Sequence, residues 1–256
     1  MSVRDTHREL RPGLRADLQV GKLVDGLPEI PFGWTEQEFL LQDRLFRLWV
    51  PFRPDSLLDS PDVLTANLRD DYMPYWAYLW PASLQIAESL LGSAWPKNTR
   101  VLELGCGLGL VGIAALAAGY CVSFTDYDEK AIAAARVNAA FNGFPTVDAF
   151  VLDWRTPQEL RYPVIIGCDV TYESRNHSPI LALIDQVLEP EGFCWIADGG
   201  RNAAPAFVEM ARDRGFSVTM KNLEGLEIED PGLNYVLMEI RKGTAAAVAN
   251  FPMEGI

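Results

Sequence analysis

The stretch Val101-Leu-Glu-Leu-Gly-Cys-Gly-Leu-Gly-Leu-Val-Gly112 leaves a chain few ways to fold. Val101, Leu102 and Leu104 form a short apolar run suited to a buried strand, with Glu103 inside it, two residues ahead of the first glycine. Gly105, Gly107 and Gly109 then make a turn almost without side chains, where backbone N–H groups lie open to a ligand. From Leu110 the apolar run of Val111, Ile113, Ala114, Ala115, Leu116, Ala117 and Ala118 predicts a buried helix stopped by Gly119. Strand, glycine turn and helix N-terminus in that order form the ligand-binding corner of a doubly wound α/β fold.

Two glycine registers compete within this corner. Gly107-Leu-Gly109-Leu-Val-Gly112 fits the G-x-G-x-x-G of nicotinamide and flavin dinucleotide domains. Glu103-x-Gly105-x-Gly107-x-Gly109 fits the turn of S-adenosylmethionine (SAM) methyltransferases. The first register pushes Gly105 and Cys106 back into the strand and leaves Glu103 without a task. The second starts the turn where the apolar strand ends. Both want an acidic residue about 20 positions on, at the end of the next strand, to hold ribose hydroxyls. Asp126, closing Cys121-Val-Ser-Phe-Thr, satisfies either, so the rest of the chain must decide.

At 256 residues the chain suits one large α/β domain with extensions. Its net charge of −13, from 35 acidic and 22 basic residues, argues against a broad phosphate-tracking surface and so against nucleic acid as partner. Cys106, Cys121, Cys168 and Cys194 fall in or beside apolar segments and form no C-x-x-C pair, as expected of buried thiols in a reducing cytoplasm. No metal is expected, because the only histidines, His7 and His177, lack ligand spacing. Residues 104–124 carry no charge, but the glycine turn and Gly119 divide them into strand, helix and strand, so no membrane span is expected. The first twenty residues mix arginines with acids and show no apolar signal core.

The chain divides into an N-terminal extension (residues 1–71), a main domain (72–242) and an Ala-rich tail (243–256) expected to be disordered. Residues 1–35, punctuated by prolines and glycines, are expected to be loosely ordered, and 39–50 have the character of a β-hairpin. An aromatic run over 72–81 precedes a helix over 82–91 with Leu84, Ala87, Leu90 and Leu91 on one face. Aromatics there either plug the core or stack on an adenine and a sulfonium. A helix follows Asp128, a third strand covers 149–152, and a fourth covers 164–168. Ser178-Pro179 is expected to cap the next helix, with His177 in the loop before it. A fifth strand over 193–197 ends in Asp198-Gly-Gly-Arg201, and a helix runs from about 205 to 214. Two closing strands, 216–220 and 235–240, have only an acidic loop between them and must pair antiparallel.

Five strands interleaved with helices, then an antiparallel pair, predict a Rossmann-like seven-stranded sheet with a terminal antiparallel pair. With Leu79-Trp80-Pro81, Glu103-x-Gly-x-Gly-x-Gly109, Asp126, Leu152-Asp153-Trp154 and Asp169-x-x-Tyr172, residues 72 to 240 resemble the class I (seven-β-strand) protein-lysine methyltransferases. The resemblance is to those acting on the electron-transfer flavoprotein β subunit, and to bacterial relatives known as predicted nicotinamide methylases. One departure is that those flavoprotein enzymes carry Trp-Pro-Gly-Gly where this chain has Trp80-Pro-Ala-Ser83. The resemblance implies SAM as cofactor, with the backbone of Gly105, Cys106, Gly107 and Gly109 along its methionine part. Glu103 would either accept from the cofactor ammonium or pin the glycine turn.

The same resemblance puts Asp126 on the ribose hydroxyls beside Tyr127, Asp153 and Trp154 on the adenine, Cys168 at the fourth strand's end, and Trp80 over the cofactor. Asp169 and Tyr172 are the implied catalytic residues, aiming an acceptor amine. Asp169-Val-Thr-Tyr172 lacks the paired prolines with which DNA adenine methyltransferases stack a base. The expected activity is N-methylation of lysine side chains on a protein, with a small-molecule amine as the alternative acceptor and a dinucleotide-binding or non-catalytic Rossmann protein as the further one.

Overall fold

The computed structural model describes residues 21–156 and 159–243. The chain opens with a hairpin, β1 (Trp34–Leu41) and β2 (Arg44–Pro51), paired antiparallel from Trp34 opposite Pro51 to Leu41 opposite Arg44. Helix α1 (Pro61–Asp70) and a 3-10 turn at Tyr75–Ala77 lead into α2 (Ala82–Leu91). Then follow β3 (Arg100–Leu104), α3 (Leu110–Ala117), β4 (Cys121–Asp126), α4 (Glu129–Phe141), β5 (Asp148–Val151) and β6 (Tyr162–Cys168). The chain closes with α5 (Ser174–Val187), β7 (Leu188–Asp198), α6 (Ala204–Asp213), β8 (Phe216–Lys221), β9 (Glu227–Ile228) and β10 (Val236–Lys242).

The main sheet has the order β5-β4-β3-β6-β7-β10-β8-β9. Neighbours from β5 to β7 are parallel, and β10 lies antiparallel to both β7 and β8. This is the expected seven-stranded sheet with its antiparallel finish, to which the two-residue β9 adds an edge strand inside the loop expected to be bare. Because β3 is followed in sequence by β4 on one side and flanked by β6 on the other, the strand order reverses between β3 and β6. Open α/β sheets leave a crevice at the carboxyl ends of such strands.

Helices α2, α3 and α4 cover one face with the hairpin packed beyond them, while α5 and α6 cover the other. The hairpin is tied to the sheet through Asn138 of α4, which is fully buried. Its side-chain oxygen accepts from Trp49 N at 2.7 Å, and its amide donates to Trp49 O at 3.1 Å and Leu108 O at 2.9 Å. Each backbone group it satisfies would cost about 1–3 kcal/mol if left buried without a partner.

Several expectations need correction. Residues 21–33 are not loose: Gly21 N bonds Phe32 O, Lys22 pairs with Trp34, and Val24, Leu27 and Ile30 pack on the core. Trp34 and Thr35 open β1, while residues 1–20 and the tail beyond 243 lie outside the described residues. Helix α2 turns a slightly different face inward, burying Ala82, Ser83, Ile86, Ala87 and Leu90, with Leu84 and Leu91 on its margin. Helix α5 begins at Ser174, so Pro179 lies inside it and Ser178 is not its cap. His177 is therefore no loop residue. It is buried in α5, with Nε2 on Thr171 O at 2.7 Å and its ring edge-on to Phe207. Of the four thiols, Cys106 and Cys194 are buried, Cys168 is half-buried and Cys121 is exposed. Among the described residues no helix is long and apolar enough to cross a membrane.

Candidate active site

The glycine turn joins β3 to α3 at the crevice. Gly105, Gly107 and Gly109 have φ of +65°, +50° and +88°, a conformation that costs a side-chain-bearing residue strain. A Cβ on Gly105 would lie 3.0 Å from Val170, and one on Gly107 would lie 3.3 Å from the Trp76 carbonyl oxygen. The turn thus starts at Gly105, where the Glu103 register places it. Gly112, the third glycine of the dinucleotide register, sits inside α3, where a Cβ would meet both Glu103 and Phe124 at 2.3 Å. Its absence of side chain serves the packing of helix on strand.

Glu103 is buried, and its Oε1 accepts from Gly112 N at 3.1 Å, which pins the start of α3. Its Oε2 has no hydrogen-bond partner among the described residues. Burial pushes its carboxyl up to about 8, with the Asp126 charge adding to the effect and the Gly112 amide opposing it.

Asp126 ends β4 and accepts from Gly107 N and Asp128 N, both at 3.0 Å, one on each oxygen. Burial raises its carboxyl to about 6 against the pull of those amides. A carboxylate oxygen can accept more than one hydrogen bond, and Asp126 lines the cavity. The cap of α4 is Asp128, which accepts from Lys130 N at 2.8 Å and from the Tyr72 hydroxyl.

Every candidate cofactor-binding or catalytic residue named from the sequence lines one cavity of about 370 Å3, from Trp80, Glu103 and the glycine turn through Asp126, Tyr127, Asp153 and Trp154 to Cys168, Asp169 and Tyr172. Asp153 holds Arg155 through two nitrogens, and this pairing lowers its pKa. Tyr127 lies half-exposed under the same guanidinium. The Trp154 indole N–H is buried without a partner among the described residues. Trp80 donates to Tyr75 O at 3.1 Å. The Cys168 thiol is pushed well up by burial and lies 3.7 Å from Asp169.

Asp169 follows β6 with a φ of +50°, a strained conformation for a non-glycine residue. It is 4% exposed, and its Oδ1 accepts from Gly199 N at 3.0 Å and from Arg201 Nε at 3.3 Å. Burial raises its pKa, and the Gly199 amide and Arg201 oppose the rise. The Arg201 guanidinium also lies 4.7 Å from the Trp80 ring and 5.4 Å from that of Tyr172. Tyr172 packs edge-on against Tyr75 at 4.7 Å.

Sequence reasoning missed Arg201, although its place just past β7 is where such sheets put chemistry. It also missed the lid contacts. Arg155 reaches Asp70 at 3.4 Å and Arg175 reaches Asp71 at 3.3 Å, which ties the end of α1 across the cavity mouth.

These features fit SAM. The three glycines of the turn, held at positive φ against Val170, Trp76 and Ala135, line the cavity with backbone alone, the Trp154 indole N–H beside them has no partner among the described residues, and the carboxyl groups of Asp126, Asp153 and Asp169 line the same space, which suits a cationic ligand. The fold and site define a class I SAM-dependent methyltransferase. The lysine methyltransferase family matches residues 76–213, more than half of the chain, and the protein belongs to that family.

Among curated relatives, the histidine protein methyltransferase 1 homolog of Dictyostelium discoideum is 29% identical over 56% of this chain and 47% of its own length. The electron transfer flavoprotein beta subunit lysine methyltransferase of Danio rerio is 41% identical over 27% of this chain and 28% of its own. The chain thus spans about half or less of these two relatives. Among solved structures, a TehB-like SAM-dependent methyltransferase from Corynebacterium glutamicum matches 62% of this chain and 87% of its own, with a TM-score of 0.53 and 23% identity. This last likeness is one of fold.

Proposed function

We propose that the protein transfers a methyl group from SAM to a lysine side-chain nitrogen of a protein acceptor. The observation that carries this is Asp169: a strained, buried carboxylate at the end of β6, in the same cavity as the glycine cradle and flanked by Trp80 and Tyr172. Such a group can accept a hydrogen bond from an amine and so orient it, and in-line displacement needs little beyond alignment and desolvation. The acceptor nitrogen's lone pair attacks the SAM methyl carbon, the C–S bond breaks with its electron pair left on sulfur, and the nitrogen sheds its proton to solvent.

On this reading Asp126 holds the ribose hydroxyls in charge-assisted bonds, and Asp153 and Trp154 meet the adenine. The glycine-turn backbone lies along the methionine part, and Trp80 and Tyr172 narrow the approach to the nitrogen. The catalytic unit is residues 72–242, with the hairpin of the N-terminal extension bracing α4. The relatives' names support a protein acceptor, since histidine protein, histone-arginine and flavoprotein-lysine methyltransferases all modify side-chain nitrogens. Four free thiols accord with a place in the cytoplasm.

A small-molecule amine is the second reading. The ion pairs that tie Asp70 and Asp71 over the cavity mouth favour it, because they narrow the entry for a side chain presented on a folded surface. Incubation with methyl-labelled SAM and a methylation-depleted cell extract separates the two. Label on one or a few protein bands that hydrolyse to methyl-lysine is expected; label confined to the small-molecule fraction would sink the protein reading.

A further inference from the structure

Arg201 is built into the site with more care than an incidental surface cation. Its loop is shaped by Asp198, fully buried, whose Oδ1 accepts from Gly200 N at 2.9 Å and Arg201 N at 2.8 Å while Oδ2 takes the Thr171 hydroxyl. Gly200 has a φ of +91°, and a Cβ there would fall 2.4 Å from the Leu233 backbone. The turn therefore has little freedom, and it delivers the guanidinium onto Asp169 with the Trp80 and Tyr172 rings beside it.

A lone buried carboxylate would serve methyl transfer badly. It would hold the acceptor as an ammonium, and a lysine amine with a reference pKa of about 10.4 has no lone pair to offer in that form. We propose that Arg201 is a positioning residue that cancels the charge of Asp169, so that the acceptor pocket takes its amine in the neutral, nucleophilic form. This rests on the amine N-methylation reading above.

Of the other ionisable groups around the pair, Asp198 spends its oxygens on Thr171 and the loop amides, and its charge, which raises the Asp169 pKa, is common to the wild type and both Arg201 variants and so drops out of their comparison. Glu173, at the entry to α5, is paired with Arg175 at 2.7 Å. Burial raises the Cys168 thiol and the hydroxyls of Tyr75, Tyr172 and Tyr235, so they stay neutral. Asp126 and Glu103 share the cavity, but their pKa values are set by burial, neighbouring amides and neighbouring carboxylates rather than by Arg201.

The test is calorimetric binding of n-butylamine to the enzyme saturated with S-adenosylhomocysteine, for the wild type, Arg201→Gln and Arg201→Lys. From about pH 7 to about pH 9 the wild-type affinity should climb about tenfold per pH unit, following the neutral amine, and Arg201→Lys should do the same. Arg201→Gln should bind the ammonium on the unpaired Asp169, with an affinity more than tenfold higher at about pH 7 and nearly flat with pH. A flat wild-type profile, or an Arg201→Gln slope equal to the wild-type slope, overturns the proposal. If S-adenosylhomocysteine binds and butylamine binds none of the three, the amine pocket itself falls, and with it the proposed function.

Discussion

Glu103→Gln isolates what a buried carboxyl does to this fold. In the wild type Oε1 serves the Gly112 amide while Oε2 has no partner among the described residues, and burial lifts the pKa from an ordinary 4.5 to about 8. Between those values the folded protein holds a proton that the unfolded chain has released, so stability falls as pH rises. The slope is at most about 1.4 kcal/mol per pH unit. Asp126 contributes in the same sense, but only up to about 6, so the interval from pH 6 to pH 8 belongs to Glu103 alone of the two. Over that interval the wild type should lose about 2–3 kcal/mol that the variant does not. Gln retains an oxygen for the Gly112 amide and carries no charge to desolvate. Urea unfolding of both proteins at the two ends of the interval measures the difference directly. A stability gap between variant and wild type that stays constant with pH would show that Glu103 is not held protonated, and the reasoning from its burial would be wrong.

Asp126→Ala removes the acceptor of the Gly107 and Asp128 amides as well as the proposed ribose anchor, and charged hydrogen bonds are worth roughly 1.5–3 kcal/mol each. SAM affinity measured by calorimetry should fall at least tenfold, and in the wild type it should weaken as pH drops below about 6; affinity kept within twofold would put the anchor elsewhere. Asp169→Asn should bind SAM within a few-fold of the wild type and lose about a hundredfold in turnover, because the nearly isosteric amide can still accept from Gly199 but no longer pairs a charge with Arg201. Turnover near the wild-type level would reduce Asp169 to a loop-shaping residue.

Much of the cofactor end was legible because its signals are local. A strand, a side-chain-free turn and a buried helix occupy consecutive residues, and Asp126 follows at the end of the next strand, so neighbours in sequence are neighbours in the site. The acceptor end was only half legible. Asp169 and Tyr172 stand three residues apart in one loop and were found, whereas Arg201 comes from another strand's loop and meets Asp169 only because β6 and β7 are paired. The start of α5 was misplaced for a related reason. Ser178-Pro179 has the local form of a helix beginning, but His177 finds the Thr171 carbonyl and the Phe207 ring, and those tertiary contacts belong to a helix begun one turn earlier.

By itself the sequence determined the parallel sheet, the glycine turn, the acidic residue beyond it and the antiparallel close, since hydrophobic period, chain connectivity and glycine's access to positive φ are properties of short segments. Only the tertiary structure decided what the charged groups do. It set Glu103 on the Gly112 amide and Asp126 on two backbone amides, brought Arg201 onto Asp169, and tied Asp70 and Asp71 across the cavity mouth. Charge interactions depend on distance and burial, and these are created when segments far apart in the chain are packed together.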